Sequence, residues 1–92
     1  MKGHCDSIFY RTSRGSDVQR DGFFIELHQT TDGQEKFIAE AFWWDADNRF
    51  TIEFVEPGLP AGVLEAFLAE ARQFIKPKSI GQESNAFVPD TE

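Results

Sequence analysis

The sequence contains a single cysteine, and that scarcity excludes an internal disulfide. Cys5 has no second thiol to pair with, which favours a reducing compartment, so we predict a cytoplasmic location. An apolar run approaching the roughly 20 residues that span a bilayer is also missing, and no signal-peptide pattern opens the chain. We therefore expect no membrane partner.

Basic residues are also scarce. Nine Lys and Arg stand against 16 Asp and Glu, which gives a formal net charge of −7. Residues 39–74 contain seven acids but only Arg49 and Arg72 as bases. Nucleic-acid binding requires clustered Lys and Arg, so no nucleic-acid partner is predicted. A basic protein partner, or solubility alone, fits the charge better.

Motifs for catalysis, cofactors and metals are missing as well. Neither histidine lies in a pattern that would supply a nucleophile and an orienting group. The acids between Asp45 and Glu56 partly follow the spacing of an EF-hand loop. However, Arg49 and Phe50 occupy the positions where that loop needs an oxygen ligand and a glycine. We therefore predict that the protein is not an enzyme and has no cofactor and no metal site.

Aromatic residues, by contrast, are abundant: ten Phe, two Trp and one Tyr in 92 residues. Between Gly22 and Glu56 they recur on both faces of strand-like segments. A small antiparallel sheet usually buries one face and exposes the other. A second aromatic face therefore indicates a contact surface that another molecule would cover.

The apolar periodicity predicts an α+β fold, namely an antiparallel β-meander of three to four strands with one C-terminal helix packed on one face. The predicted strands are 7–11, 22–29, 36–44 and 49–56, with loops between them. The helix is predicted to begin at Pro60, because proline is favoured at the first helical position, and to end before Pro77. Residues 1–77 are expected to form a single domain and 78–92 a disordered tail.

The first hairpin turn sets the register of the two central strands. Residues 31–33 (Thr-Asp-Gly) suit a three-residue loop with glycine in the left-handed bulge position, which pairs Leu27 with Phe37. A two-residue turn at 32–33 would slip the register by one residue and place Glu26 on the core face. Burial therefore favours the three-residue loop.

The second hairpin is predicted to close on Asp45 and Asn48, which pairs Trp43 with Phe50. The two hairpins agree on which face is the core. On this register the core face carries Phe23, Ile25, Leu27, Phe37, Ala39, Ala41, Trp43, Phe50, Ile52 and Phe54.

The opposite face of the sheet is the candidate site. Glu40 lies directly across from Glu53, and like charges in that position destabilise a hairpin unless solvent or a cation screens them. Three aromatic side chains and Ile38 surround the pair, in an arrangement typical of a binding hot spot. The predicted partner-binding residues are Phe24, Glu40, Phe42, Trp44 and Glu53.

These features predict a small, acidic, cytoplasmic protein-binding domain of inhibitor, immunity or regulatory type. The stretch from Phe37 to Ile75 resembles the strand and helix core of HicB-type antitoxins, but it lacks their DNA-binding extension and their spacing between last strand and helix. A self-associating domain, in which two copies stack their second faces as a homodimer, is the alternative. A binder of a small apolar ligand, held between sheet and helix, is a third possibility.

Overall fold

The computed structural model describes residues 1–75 and 83–90, which form one antiparallel sheet and one helix. The five strands lie in the sheet in chain order, so hairpins join all neighbours. This confirms the predicted α+β meander, with five strands in place of three to four. The elements are β1 (Lys2–Cys5), β2 (Ile8–Asp17), β3 (Gly22–Thr31), β4 (Gln34–Trp44), β5 (Arg49–Phe54) and α1 (Ala61–Phe74).

The added strand comes from the N-terminal residues, which were predicted to be a loop. β1 pairs with β2 through a tight turn in which Asp6 and Ser7 both have positive φ, 52° and 65°. β2 also continues to Asp17 through polar residues that carry no apolar alternation. From Ser13 to Asp17 the pairing strand is β3, whose backbone hydrogen bonds hold these residues in the sheet without strong propensity of their own.

The register of β3 and β4 differs from the prediction. The turn has two residues, Asp32 and Gly33, with φ of 52° and 76° as a type I′ turn requires. Next to the turn His28 pairs with Phe37, but further on Leu27 pairs with Ala39. The three-residue loop was wrong, and a β-bulge between these pairs brings Leu27 back to the core face.

The bulge also places two hydrophobic residues on the face opposite to the one predicted for each. Ile38 is the additional residue in β4, and it is 3% exposed within the core, although it was predicted on the second face. Phe37 was predicted in the core, yet it is 41% exposed and its ring lies 5.9 Å from that of His28. One inserted residue changes the alternation of side chains, which explains both errors.

The second hairpin follows the prediction. Trp43 pairs with Phe50, and Glu40 pairs with Glu53, as expected from a turn closed by residues 45 and 48. Asn48 adopts a positive φ of 53°, a conformation that asparagine tolerates better than most residues. This hairpin therefore determines that Glu40 and Glu53 of the candidate site lie side by side on neighbouring strands.

Helix α1 packs on one face of the sheet and forms the core there. Pro60, with φ −57° and ψ 140°, is the residue just before the helix, so α1 begins at Ala61, one residue later than predicted. Phe67 and Ala71 are fully buried, as are Ala39 and Ala41 of β4, whose small side chains allow close approach. The predicted stop at Pro77 lies outside the described residues. Within the described residues, no helix has the length and apolar character needed to cross a membrane.

The predicted tail is described only in part, since residues 78–82 and 91–92 lie outside the described residues. Residues 83–85 contact the sheet, which the sequence did not indicate. The Ser84 amide donates to the Asn48 carbonyl at 2.7 Å, and the side chain of Asn85 bonds to the backbone of Phe50. The division of the chain at residue 77 stays a prediction.

Candidate functional site

The face of the sheet opposite α1, called the second face below, carries the predicted partner-binding residues. Phe24 pairs with Phe42 across β3 and β4, and Glu40 pairs with Glu53 across β4 and β5. The rings of Phe42 and Trp44 lie 4.4 Å apart. The structure therefore brings all five predicted residues onto neighbouring positions of three strands.

A third carboxylate extends the predicted pair into a row. Glu26 pairs with Glu40, which pairs with Glu53, so one glutamate from each of β3, β4 and β5 stands side by side. The predicted register of β3 and β4 did not pair Glu26 with Glu40, so the row of three glutamates was not predicted. Like charges on adjacent strands repel, so the row requires cations or solvent nearby.

Arg20, in the loop between β2 and β3, supplies a cation to the centre of this row. Its two terminal nitrogens donate to both carboxylate oxygens of Glu40, each at 2.8 Å. Its Nε donates to Asp17 at 2.7 Å, and Asp17 also accepts the backbone amide of Arg20. The hydrogen bond to Glu40 is the main reason why the pKa of Arg20 is raised above its ordinary value.

The same guanidinium covers the central aromatic ring. The Cζ atom of Arg20 lies 4.0 Å from the centroid of Phe42, a cation–π distance. Phe42 is 2% exposed and Glu40 is 9% exposed, although within residues 1–75 and 83–90 no strand or helix lies over them. Sequence reasoning did not find Arg20; the only local signal was its spacing from Asp17, which suits an i, i+3 ion pair.

The remaining predicted residues are more accessible. Phe24 and Trp44 are half-buried, and Glu53 is exposed. The Trp44 indole donates to the Thr51 hydroxyl at 2.9 Å, which fixes the ring on the strand surface. At the β5 side of the sheet, the accessible part of the second face therefore combines the carboxylate of Glu53 with the ring of Trp44.

A shallow groove of about 470 Å³ follows this accessible part. It runs toward the outer edge of the sheet and carries charges of both signs. Its lining residues are Trp44, Asp47, Arg49, Thr51, Ile52 and Glu53.

A second polar cluster lies at the other end of the face, around Arg11. Arg11 donates to both oxygens of Glu35 at 2.7 and 2.6 Å, and these bonds lower the pKa of Glu35. His28 Nε2 lies 3.2 Å from the Ser13 hydroxyl and 3.3 Å from Glu26. Nε2 can donate to Glu26 or accept from Ser13, but not both at once, so the tautomer of His28 decides which of the two contacts is a hydrogen bond.

An apolar groove of about 430 Å³ lies between β1 and the start of α1. Tyr10 and Val63 form part of its wall, with Cys5 close by. Burial is the main cause of the raised pKa of the Tyr10 phenol. This is the place where the structure could hold a small apolar ligand between sheet and helix.

Comparison of the chain with protein-family models, with curated proteins and with solved structures found no match. Among residues 1–75 and 83–90, no three or more potential metal-ligating side chains of His, Cys, Asp or Glu come together. The site is therefore interpreted from its own geometry.

Proposed function

We propose that this protein is a small acidic cytoplasmic domain that binds a basic segment of another protein on its second face. The row of Glu26, Glu40 and Glu53 carries the proposal. Among the described residues only the central carboxylate of the row has an arginine partner, so a net negative charge is left on an aromatic surface. An inhibitor, immunity or regulatory role fits a domain of this size, and the single thiol of Cys5 supports the cytoplasmic location.

Arg20 supports the proposal because it is an internal example of the chemistry. Its guanidinium lies over an aromatic ring while it donates to a carboxylate in two places. Glu53 and Trp44 line one groove and offer the same combination of groups to an arginine from outside. A partner's arginine would therefore be bound beside Arg20 in a similar way.

Glu53 is the best-placed residue for that contact. It is exposed, and among the described residues it has no ion pair. The net charge of −7 adds long-range attraction for a basic partner, which raises the rate of encounter.

Stacking of two second faces is less well supported. The face would meet its own carboxylate row, and two of its arginines, Arg11 and Arg20, already pair with Glu35 and Glu40. A symmetric face-to-face dimer would thus place like charges together, with Arg49 as the one arginine of this face that has no ion pair among the described residues. A basic partner avoids this repulsion.

Binding of defined peptides tests the proposal. We expect an extended peptide of alternating Arg and Thr to bind, a Glu–Thr peptide not to bind, and added salt to weaken the binding. In ¹⁵N-correlated NMR spectra the Arg–Thr peptide should shift the Trp44 indole and the amides of β4 and β5. Glu53→Lys should weaken the affinity about tenfold or more, as expected for reversal of a contacting charge.

The matched control is Glu65→Lys, which makes the same charge change at an exposed position on α1. Equal losses for the two variants would mean that only net charge matters. Shifts confined to α1 would place the binding on the wrong face. Either result would contradict the proposal.

A further inference from the structure

The outer edge of β5 is the second surface that the structure leaves open. β5 is the last strand in the sheet order. The amide and carbonyl of Phe50 point outward, since both bond to the side chain of Asn85, at 3.0 and 2.7 Å. Alternation along an antiparallel strand directs the backbone groups of Ile52 the same way. Among the described residues, no strand pairs with this edge.

Residues 83–85, called the capping segment below, cover the beginning of that edge, and no other part of the described chain bonds to it. Asn85 satisfies the backbone of Phe50 as a neighbouring strand would, and Ser84 bonds to residue 48. Glu83 accepts from Arg72 at 2.6 Å, while its other oxygen is buried without a partner among the described residues. The capping segment is therefore held at the start of the edge by hydrogen bonds from each of its three residues.

The sequence of β5 is complementary to itself around Thr51. If two copies pair antiparallel with Thr51 on the two-fold axis, Phe50 of each copy faces Ile52 of the other. Both residues direct their backbone groups outward, so each pair exchanges two hydrogen bonds. On the second face Arg49 then stands opposite Glu53 twice, which pairs opposite charges across the interface.

We propose that the outer edge of β5 is a pairing site for a second copy of this chain, and that the capping segment occupies it in the monomer. Asn85 holds the same amide and carbonyl of Phe50 that the second copy would use. The two states therefore exclude each other. The argument for this pairing does not use the basic partner, but both contacts involve Glu53, so a paired β5 would compete with that partner for this carboxylate.

Asn85→Ala in the full chain tests the competition. Formation of the dimer displaces two capping segments, and the change removes two hydrogen bonds from each, so the dimer dissociation constant should fall about a hundredfold. Sedimentation equilibrium measures that constant. Hydrogen exchange of the Phe50 amide should be faster than in the wild type at low protein concentration and slower at high concentration.

Charge exchange in the Asn85→Ala background tests the register. Arg49→Glu and Glu53→Arg each place like charges opposite one another twice, and each should weaken the dimer about tenfold. The double variant restores opposite charges and should restore the dimer. A purely structural effect of either change would not be reversed by the other.

Three results would overturn the proposal. Asn85→Ala could expose the Phe50 amide and yet stay monomeric, which would exclude a second copy at this edge. It could leave the exchange of that amide unchanged, which would exclude the capping role. It could form a dimer that ignores the charge exchange, which would place the contact elsewhere.

Discussion

The two faces of the sheet are closed by different means. On one face a helix of 14 residues covers the strands with a continuous apolar stripe. On the other face, an arginine from a loop covers the centre. Phe42, which lies under Arg20, is nevertheless as fully buried as Phe67, which α1 directs toward the sheet. The comparison teaches that one guanidinium can close a small aromatic patch when a carboxylate such as Glu40 holds it in place.

The largest effects should come from the two buried phenylalanines. Phe67→Ala and Phe42→Ala should each lower the free energy of unfolding by about 3–5 kcal/mol, because each removes a ring that is enclosed on all sides. Urea unfolding followed by circular dichroism measures both losses.

Phe54→Ala is the control on the same sheet, because Phe54 is 46% exposed. This substitution should lower the free energy of unfolding by about 1 kcal/mol or less. If Phe42→Ala costs no more than Phe54→Ala, the enclosure by Arg20 contributes nothing and the two faces are not comparable.

Two arginine–glutamate pairs on the second face have the same arrangement of hydrogen bonds but differ in burial, so comparing them isolates the effect of burial on stability. Arg20 and Arg11 each donate two hydrogen bonds to one glutamate, but Glu40 is buried whereas Glu35 is exposed. Arg20→Ala should lower the free energy of unfolding by about 1–3 kcal/mol, because it leaves a buried carboxylate without its donors. Arg11→Ala should lower it much less than Arg20→Ala does, because exposed ion pairs add little to stability.

Arg20→Lys sharpens this test, since it keeps the charge but loses the planar, two-pronged donor. We expect its stability to lie between those of the wild type and Arg20→Ala in urea unfolding. Equal losses for Arg20→Ala and Arg11→Ala would show that burial of Glu40 adds nothing to the pair.

The sequence was most informative where local rules agree. In the hairpin of β4 and β5, the turn at residues 45–48 and the alternation of Phe50 and Ile52 select the same register, and the structure has it. The stripe around Phe67 likewise predicts a helix because its spacing fits only that period. These parts of the fold follow from contacts between residues close in sequence.

The sequence was least informative where two irregularities compensate. A two-residue turn at 32–33 slips the strands by one residue, and the bulge at Ile38 restores the pairing of Leu27 on the core face. Burial alone could not distinguish this pair of features from one longer loop. Arg20 was missed for another reason, because its contact with Glu40 joins a polar loop to a strand 20 residues away and follows no periodicity.

The smallest comparison uses acidification, and it follows two carboxylates of the second face that accept hydrogen bonds from arginines, Asp17 and Glu35. Hydrogen bonds from Arg20 lower the pKa of Asp17 below its ordinary 3.8, and those from Arg11 lower the pKa of Glu35 below 4.5. Because the folded-state values are depressed, both contributions are complete above the ordinary pKa. They disappear as the pH falls through the lower folded values.

The Nε–H signals of the two arginines report this loss directly, because Arg20 Nε donates to Asp17 and Arg11 Nε donates to Glu35. In an NMR titration from pH 6 to pH 2 we expect the Arg20 midpoint below 3.8 and the Arg11 midpoint below 4.5. Asp17→Asn should abolish the first transition only, while the ring signals of Phe67 should stay unchanged until global unfolding. Midpoints at or above the ordinary values would mean that the arginines do not hold these carboxylates, and the second face would then owe its closure to aromatic packing alone.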